Sequence, residues 1–117
     1  MTLAWIMTLL VAALHGWVVW LEMFRWEDAS TRRIFGTTPE FAADSRVLAA
    51  NQGLYNGFLA AGLVIGLLLG EAGRILVWYL LACIVVAGVY GGVTVAVRVA
   101  LVQAVPALLA LGLWLAA

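Results

Sequence analysis

Asn51, Gln52, Tyr55 and Asn56 fall within six residues at one end of an otherwise apolar stretch, 47–69. Apolar length explains why such a stretch enters a bilayer; it does not explain three carboxamides and a phenol. An unpaired polar group in hydrocarbon costs on the order of several kcal/mol, so these side chains need partners. A second apolar stretch, 3–24, carries an imidazole and a carboxyl group, His15 and Glu22. Glu22 and His15 are candidates for general acid or base work, and Tyr55 for hydrogen-bond donation to a developing charge. Asn51, Gln52 and Asn56, with Tyr90 and Gln103 from later apolar stretches, are candidates for orienting a bound ligand. Arg25, Arg32, Arg33 and Arg46 lie between the first two apolar stretches, where guanidinium forks could hold phosphate, carboxylate or anionic lipid.

Each feature has a plainer explanation. Glu22 sits near a helix end and could reach headgroups or pair with Arg25. His15 is deeper, and a neutral imidazole bonded to one backbone or amide partner would account for it. Amides are also used as interhelical glue in lipid. The arginines set topology whatever else they bind. One His and one Glu two turns apart are a poor metal-ligand set, and no metal site is expected. The residues do not say which cofactor, if any, is used. The single cysteine, Cys83, excludes a disulfide framework within one chain and reads as a small core residue.

The elements that position these groups follow from composition. The chain has 117 residues, 67% of them hydrophobic and 10% charged, and no water-soluble domain of this size could hide so much apolar surface. Six arginines, no lysine and six acids leave no basic field for nucleic acid. Four stretches fit the roughly 20 residues needed to cross ~30 Å of hydrocarbon: 3–24, 47–69, 75–96 and 99–116. Short links make consecutive helices antiparallel neighbours. The expected fold is therefore all-α: one transmembrane domain over 1–117, an antiparallel up-down bundle of four spans with a cytoplasmic loop at 25–46. No positive charge precedes the first apolar run, which is about twice a usual signal-peptide core and is expected to be retained.

Five of the six arginines (Arg25, Arg32, Arg33, Arg46 and Arg98) fall on one side of this arrangement and Arg74 on the other. The excess marks the cytoplasmic side and places both termini outside. Thr37 and Glu40 have capping-box spacing around Pro39, so the helix of the second span is expected to begin near Pro39. At 100° per residue Asn51, Gln52, Tyr55 and Asn56 cover one arc of their helix. Gly62, Gly66 and Gly70 extend that stripe; Gly53, Gly57 and Ala60 form another on the opposite face. Thr8, His15 and Glu22, seven apart, share a face of the first helix. From the cytoplasmic arginines, Glu22 lies ~4.5 Å deep, Asn51 and Gln103 ~7.5 Å, Tyr90 ~12 Å, and His15 and Asn56 ~15 Å. A polar pocket in the cytoplasmic half is expected.

Several stretches carry a resemblance: Glu22-Met23-Phe24-Arg25-Trp26, Arg33-Ile34-Phe35-Gly36, Pro39-Glu40-Phe41, VLAANQGLYNGFLAAGL at 47–63, VAGVYGGVTV at 86–95 and VQAVPALLAL at 102–111. Together they resemble the bacterial membrane family catalogued as domain of unknown function 1304, which implies four membrane helices and no assigned activity. A looser, fold-level likeness is to the membrane-associated eicosanoid and glutathione metabolism proteins, four-helix trimers with a long cytosolic loop after the first helix. Arg46 and Asn51 echo the glutathione-binding pattern of that family's second helix. No arginine lies between 47 and 56 and no Glu follows Asn51 within a turn, so the pattern is incomplete.

Three functions compete. The first is a ligand-binding protein or enzyme of the bacterial inner membrane, acting on a small amphipathic molecule through the polar pocket. The second is a small proton-coupled transporter using Glu22, which resembles the small multidrug-resistance class. The third is a structural or assembly subunit with no pocket, its polar cluster serving only to pair helices. Small-residue faces and a thin core point to a homo-oligomer surrounded by membrane lipid.

Overall fold

The computed structural model describes residues 2–117. The described residues form helices joined by short turns, with no strand among them. The helices are α1 (Leu3–Phe24), α2 (Ala29–Phe35), α3 (Pro39–Asp44), α4 (Arg46–Leu68), α5 (Arg74–Thr94), α6 (Val97–Val99) and α7 (Val105–Ala116). A π-helical turn, Ala100–Ala104, joins α6 to α7. Contacts group the chain into two compact units, Leu14–Ala60 and Met1–Ala13 with Ala61–Ala117.

Three helical segments, not the expected four, are long and apolar enough to cross a membrane: Leu3–Phe24, Gly70–Thr94 and Val97–Ala116. The expected second span does form one continuous helix, α4, of 23 residues. It falls short on apolarity because Asn51, Gln52, Tyr55 and Asn56 lower the mean hydropathy of its first half.

In the Leu14–Ala60 unit the chain leaves α1 and turns through two short helices. Gly36 ends α2 in the left-handed region (φ 70, ψ 37), where a residue without Cβ is favoured. The start of α3 corrects the sequence reading. Thr38, not Thr37, is the cap, its Oγ1 accepting from the Phe41 N–H at 3.1 Å. Proline disfavours the helical region for the residue before it, so Thr38 is extended (φ −93, ψ 162) and takes the capping position. Nor does the helix from Pro39 run unbroken into α4: Ser45 (φ −96, ψ 5) interrupts it. The Ser45 hydroxyl donates to the Phe41 carbonyl at 2.6 Å, beside the Ser45 N–H at 2.9 Å, and accepts from Trp26 Nε1 at 3.1 Å. Trp26 also packs on Phe35, with ring centroids 5.0 Å apart.

The α1–α4 packing in this unit depends on missing side chains. A Cβ at Gly53 would lie 2.7 Å from Met23 Cγ and 3.1 Å from Glu22 Cβ; one at Gly57 would meet only Val19, at 3.6 Å. Gly53 therefore sets how closely the two helices approach.

The second unit has the same device. Gly66 lies against Gly73 and Val77, and Gly62 against Leu80, seating α5 on the end of α4. The turn between them uses Gly70 at φ 61. At its end Arg74 pairs with Glu71 at 2.9 Å and lies over the Trp78 ring. Further on, α5 packs against the π-helical turn and α7. Gly88 faces Ala104, Gly91 faces Val99 and Gly92 faces Ala100. Pro106 has no N–H to offer the Val102 carbonyl and its ring would collide with that carbonyl; widening the preceding turn relieves both problems. Pro106 is thus accommodated by the π-helical turn that precedes it. Leu63, Leu81, Ile84, Ala107 and Ala110 are fully buried in this unit. Trp114 Nε1 donates to Thr8 Oγ1 at 2.9 Å, tying α7 to the start of α1.

Gly88 and Gly112 provide a paired test of close approach. A Cβ at Gly88 would stand 2.5 Å from the Ala104 backbone nitrogen, whereas one at Gly112 meets nothing within 4 Å. Gly88→Ala is expected to destabilise by about 1–3 kcal/mol through overpacking. Gly112→Ala is expected to be neutral or to stabilise by up to about 1 kcal/mol through helix propensity. Thermal unfolding of both variants in detergent, followed by helical circular dichroism, checks the contrast.

Candidate functional site

The site is built from one residue of α1 and two of α4. Along α1, Thr8, His15 and Glu22 are all buried, at 0%, 2% and 1% exposure, so the seven-residue spacing turns one face inward. Trp17 and Trp20 lie on the opposite, exposed face. On α4, Gln52 and Asn56 are four apart and therefore stacked on adjacent turns. Gly53, between them in sequence, admits α1 close enough for both amides to reach the same carboxyl group.

Glu22 is gripped at both oxygens. Gln52 Nε2 donates to Oε2 at 2.5 Å, and Asn56 Nδ2 donates to Oε1 at 2.7 Å. Two N–H groups aimed at two oxygens is an arrangement suited to a carboxylate, which only accepts. Among the described residues no arginine forms an ion pair with Glu22. Arg25, the nearest in sequence, turns instead to Asp28 at 3.7 Å and lies over the Trp20 ring. Asn56 is 9% exposed, whereas Gln52 is an exposed residue whose amide end reaches in to Glu22.

The polar arc read from the sequence is thus divided. Gln52 and Asn56 converge on Glu22. Asn51 instead donates to the carbonyl of Val47 in its own helix, at 2.9 Å. Tyr55 is 66% exposed and packs edge-on against Phe58, with centroids 5.9 Å apart. The physical reason is angular: Asn51 and Tyr55 lie on the outer side of the arc, while Gln52 and Asn56 lie on the side that Gly53 brings against α1. His15 shares the buried face of α1 with Glu22, but seven residues separate them by about 10 Å along the axis, so any relay between them needs an intermediary.

The remaining candidates lie elsewhere. Tyr90 is 70% exposed on α5, and Gln103 is half-buried in the π-helical turn; both belong to the other unit. Tyr90 lies on an open, apolar stripe of α5 with Tyr79, Ala82, Cys83, Val86 and Ala87. Arg32 donates from Nε to the Glu27 carbonyl at 3.2 Å, while Arg33 and Arg46 are exposed. No hydrogen bond or ion pair among the described residues gathers the four loop arginines on one point. Likewise, no three His, Cys, Asp or Glu side chains among the described residues come together as a metal-ligand group. Two polar contacts were not anticipated: Trp26 to Ser45 and Trp114 to Thr8. Nothing in the local sequence pairs residues 19 or 106 positions apart.

Removing one donor from Glu22 should cost more than removing an outward hydroxyl. Asn56→Leu leaves a buried carboxylate oxygen without its partner and is expected to destabilise by about 1–3 kcal/mol. Tyr55→Phe keeps the ring against Phe58 and is expected to stay within about 0.5 kcal/mol. Melting temperatures of the two variants in detergent micelles measure the difference.

Residues 9–115 match a family described as "Protein of unknown function (DUF1304)". The chain is also 34% identical, over 108 residues, to the uncharacterized protein YpaA of Lactococcus lactis subsp. lactis (strain IL1403), an alignment covering 91% of each chain. No solved structure matches the chain. With nearly its whole length matched, all-helical and carrying three helices fit to span a bilayer, the chain belongs to the DUF1304 family.

Proposed function

We propose that this chain is a four-span protein of the bacterial cytoplasmic membrane that binds a small amphipathic molecule, with Glu22 holding a cationic head. In this reading α4 crosses along with the three more apolar segments. Its 23 residues span about 35 Å, enough for ~30 Å of hydrocarbon. Its inward amides are met by Glu22, so they add little to the cost of insertion. Arg25, Arg32, Arg33, Arg46 and Arg98 then share the cytoplasmic side, with both termini outside.

The observation that carries the reading is the state of Glu22: an acid at 1% exposure, held by two neutral amides rather than by an arginine. Dipoles hold a carboxylate in place without cancelling its charge, and ionisable groups inside membranes mark ligand or ion sites by default. Gln52 is the exposed part of the arrangement. Rotation of its side chain would uncover Oε2 while Asn56 keeps Oε1. An ammonium head could then take the vacated oxygen, with its tail along the apolar helices. Asn51 and Tyr55, on the outer side, are further contacts for the head. No covalent step is assigned.

A second reading has its own support. Both Glu22 oxygens already accept a bond, so the cluster could serve only as a polar clamp pairing α1 with α4. One experiment separates the two. In lipid nanodiscs, octylammonium is expected to raise the melting temperature of the native chain, octanol of equal length much less, and Glu22→Gln should abolish the difference. Equal shifts for the two amphiphiles, or an ammonium effect that survives Glu22→Gln, would reject the binding reading and leave the clamp.

A further inference from the structure

We infer that the outward face of α4 around Asn51 and Tyr55 is a contact with a second copy of this chain. The inference concerns a face that Glu22 does not occupy and is independent of what binds there. The other long helices expose mostly hydrocarbon, Ile6, Leu9 and Leu10 on α1, Val86 and Val93 on α5, Leu108 and Leu109 on α7; the exposed phenols of α5, Tyr79 and Tyr90, have no amide on their helix to accompany them. The exposed side of α4 differs. Leu48, Leu54 and Phe58 flank an amide and a phenol on adjacent turns, Asn51 and Tyr55. The inference rests on α4 crossing the bilayer as proposed: there, facing lipid, these two groups would lack partners.

The chain itself satisfies them only in part. Asn51 Nδ2 is committed to the Val47 carbonyl, which leaves the amide oxygen as an acceptor. The Tyr55 ring rests edge-on against Phe58, and its hydroxyl has no hydrogen bond among the described residues. One copy therefore presents an acceptor and a donor, about 6 Å apart along the helix axis. Helical side chains lean toward the helix N-terminus. If two parallel α4 helices cross at this level, the hydroxyl of Tyr55 in one copy comes down beside Asn51 of the other. A twofold axis along the membrane normal makes the bond twice. A face carrying one donor and one acceptor in this register complements itself, which selects a second copy over lipid, whose tails offer neither. The apolar flank of Leu54 and Phe58 would seal the pair.

Disulfide trapping in isolated membranes tests this with the full chain. Phe58→Cys in a Cys83→Ala background keeps Asn51 and Tyr55 and places a thiol on the proposed face; Leu54→Cys reports the same face should the first variant fail to accumulate. Leu109→Cys, in the same background, reports random collision of a lipid-facing position. The native chain, through Cys83, reports the competing stripe of α5. Copper–phenanthroline oxidation should yield a linked dimer from Phe58→Cys well above the Leu109→Cys level. Adding Asn51→Leu should lower that yield about fivefold, the loss expected for interhelical bonds in lipid. A yield no greater than that of Leu109→Cys, preferential linkage through Cys83, or a yield indifferent to Asn51→Leu would each overturn the proposal.

Discussion

A carboxylate withdrawn from water must be met by donors, and in the Leu14–Ala60 unit that requirement governs the packing. Glu22 can take Gln52 at one oxygen and Asn56 at the other only if α1 and α4 lie in one register, since the two amides are one turn apart and the carboxylate spans a single residue's width. Slipping either helix by a residue would rotate an amide away by 100° and leave a buried oxygen bare. The bonds also need proximity, which Gly53 provides by having no Cβ to meet Met23 and Glu22. Polar pairing and glycine contact are therefore one device: the glycine allows the approach, and the carboxylate fixes the rotation.

The unit containing α5 and α7 solves the same problem almost without polar groups. In lipid, apolar helices gain no hydrophobic drive by meeting one another, so close packing must supply the attraction. Gly88, Gly91 and Gly92 set α5 against Ala104, Val99 and Ala100, so that backbone meets backbone or methyl group. The π-helical turn at Ala100–Ala104 belongs to this contact. Pro106 forces the turn open, and the opened segment includes two of the three residues that face the glycines. The bond from Trp114 to Thr8, which joins side chains of two long helices, lies at the far end of α7. The two units thus divide the work: one is specified by hydrogen bonds, the other by shape.

Much of this could be read before any coordinates. Mean composition and run length gave the helical class; the seven-residue row Thr8, His15, Glu22 gave the buried face of α1, and the glycine rows marked close contacts, although Gly53, read as opposite the polar arc, meets Glu22 beside Gln52 and Asn56. Local chemistry was less reliable where two rules competed. Thr37 and Glu40 match a capping box by spacing, but Pro39 controls the residue before it and hands the cap to Thr38. Ser45 looks unremarkable in sequence, yet it stands at the break between α3 and α4, its hydroxyl joining its own N–H on the Phe41 carbonyl. The apolar count of 47–69 treated four polar residues as an interruption of a span, whereas they hold α4 below the apolarity of the other three segments.

The sequence by itself determined that Glu22, Gln52 and Asn56 had to find partners, because the cost of an unpaired polar group in hydrocarbon depends only on the group and the medium. Which partners they found was beyond it. Gln52 and Asn51 are neighbours in the chain and alike in chemistry, yet one reaches Glu22 and the other bonds to its own helix. That choice rests on which side of α4 approaches α1, a matter of a hundred degrees of rotation fixed by Gly53 and a contact 30 residues away in the chain. Periodicity places residues on faces; only packing decides what each face meets.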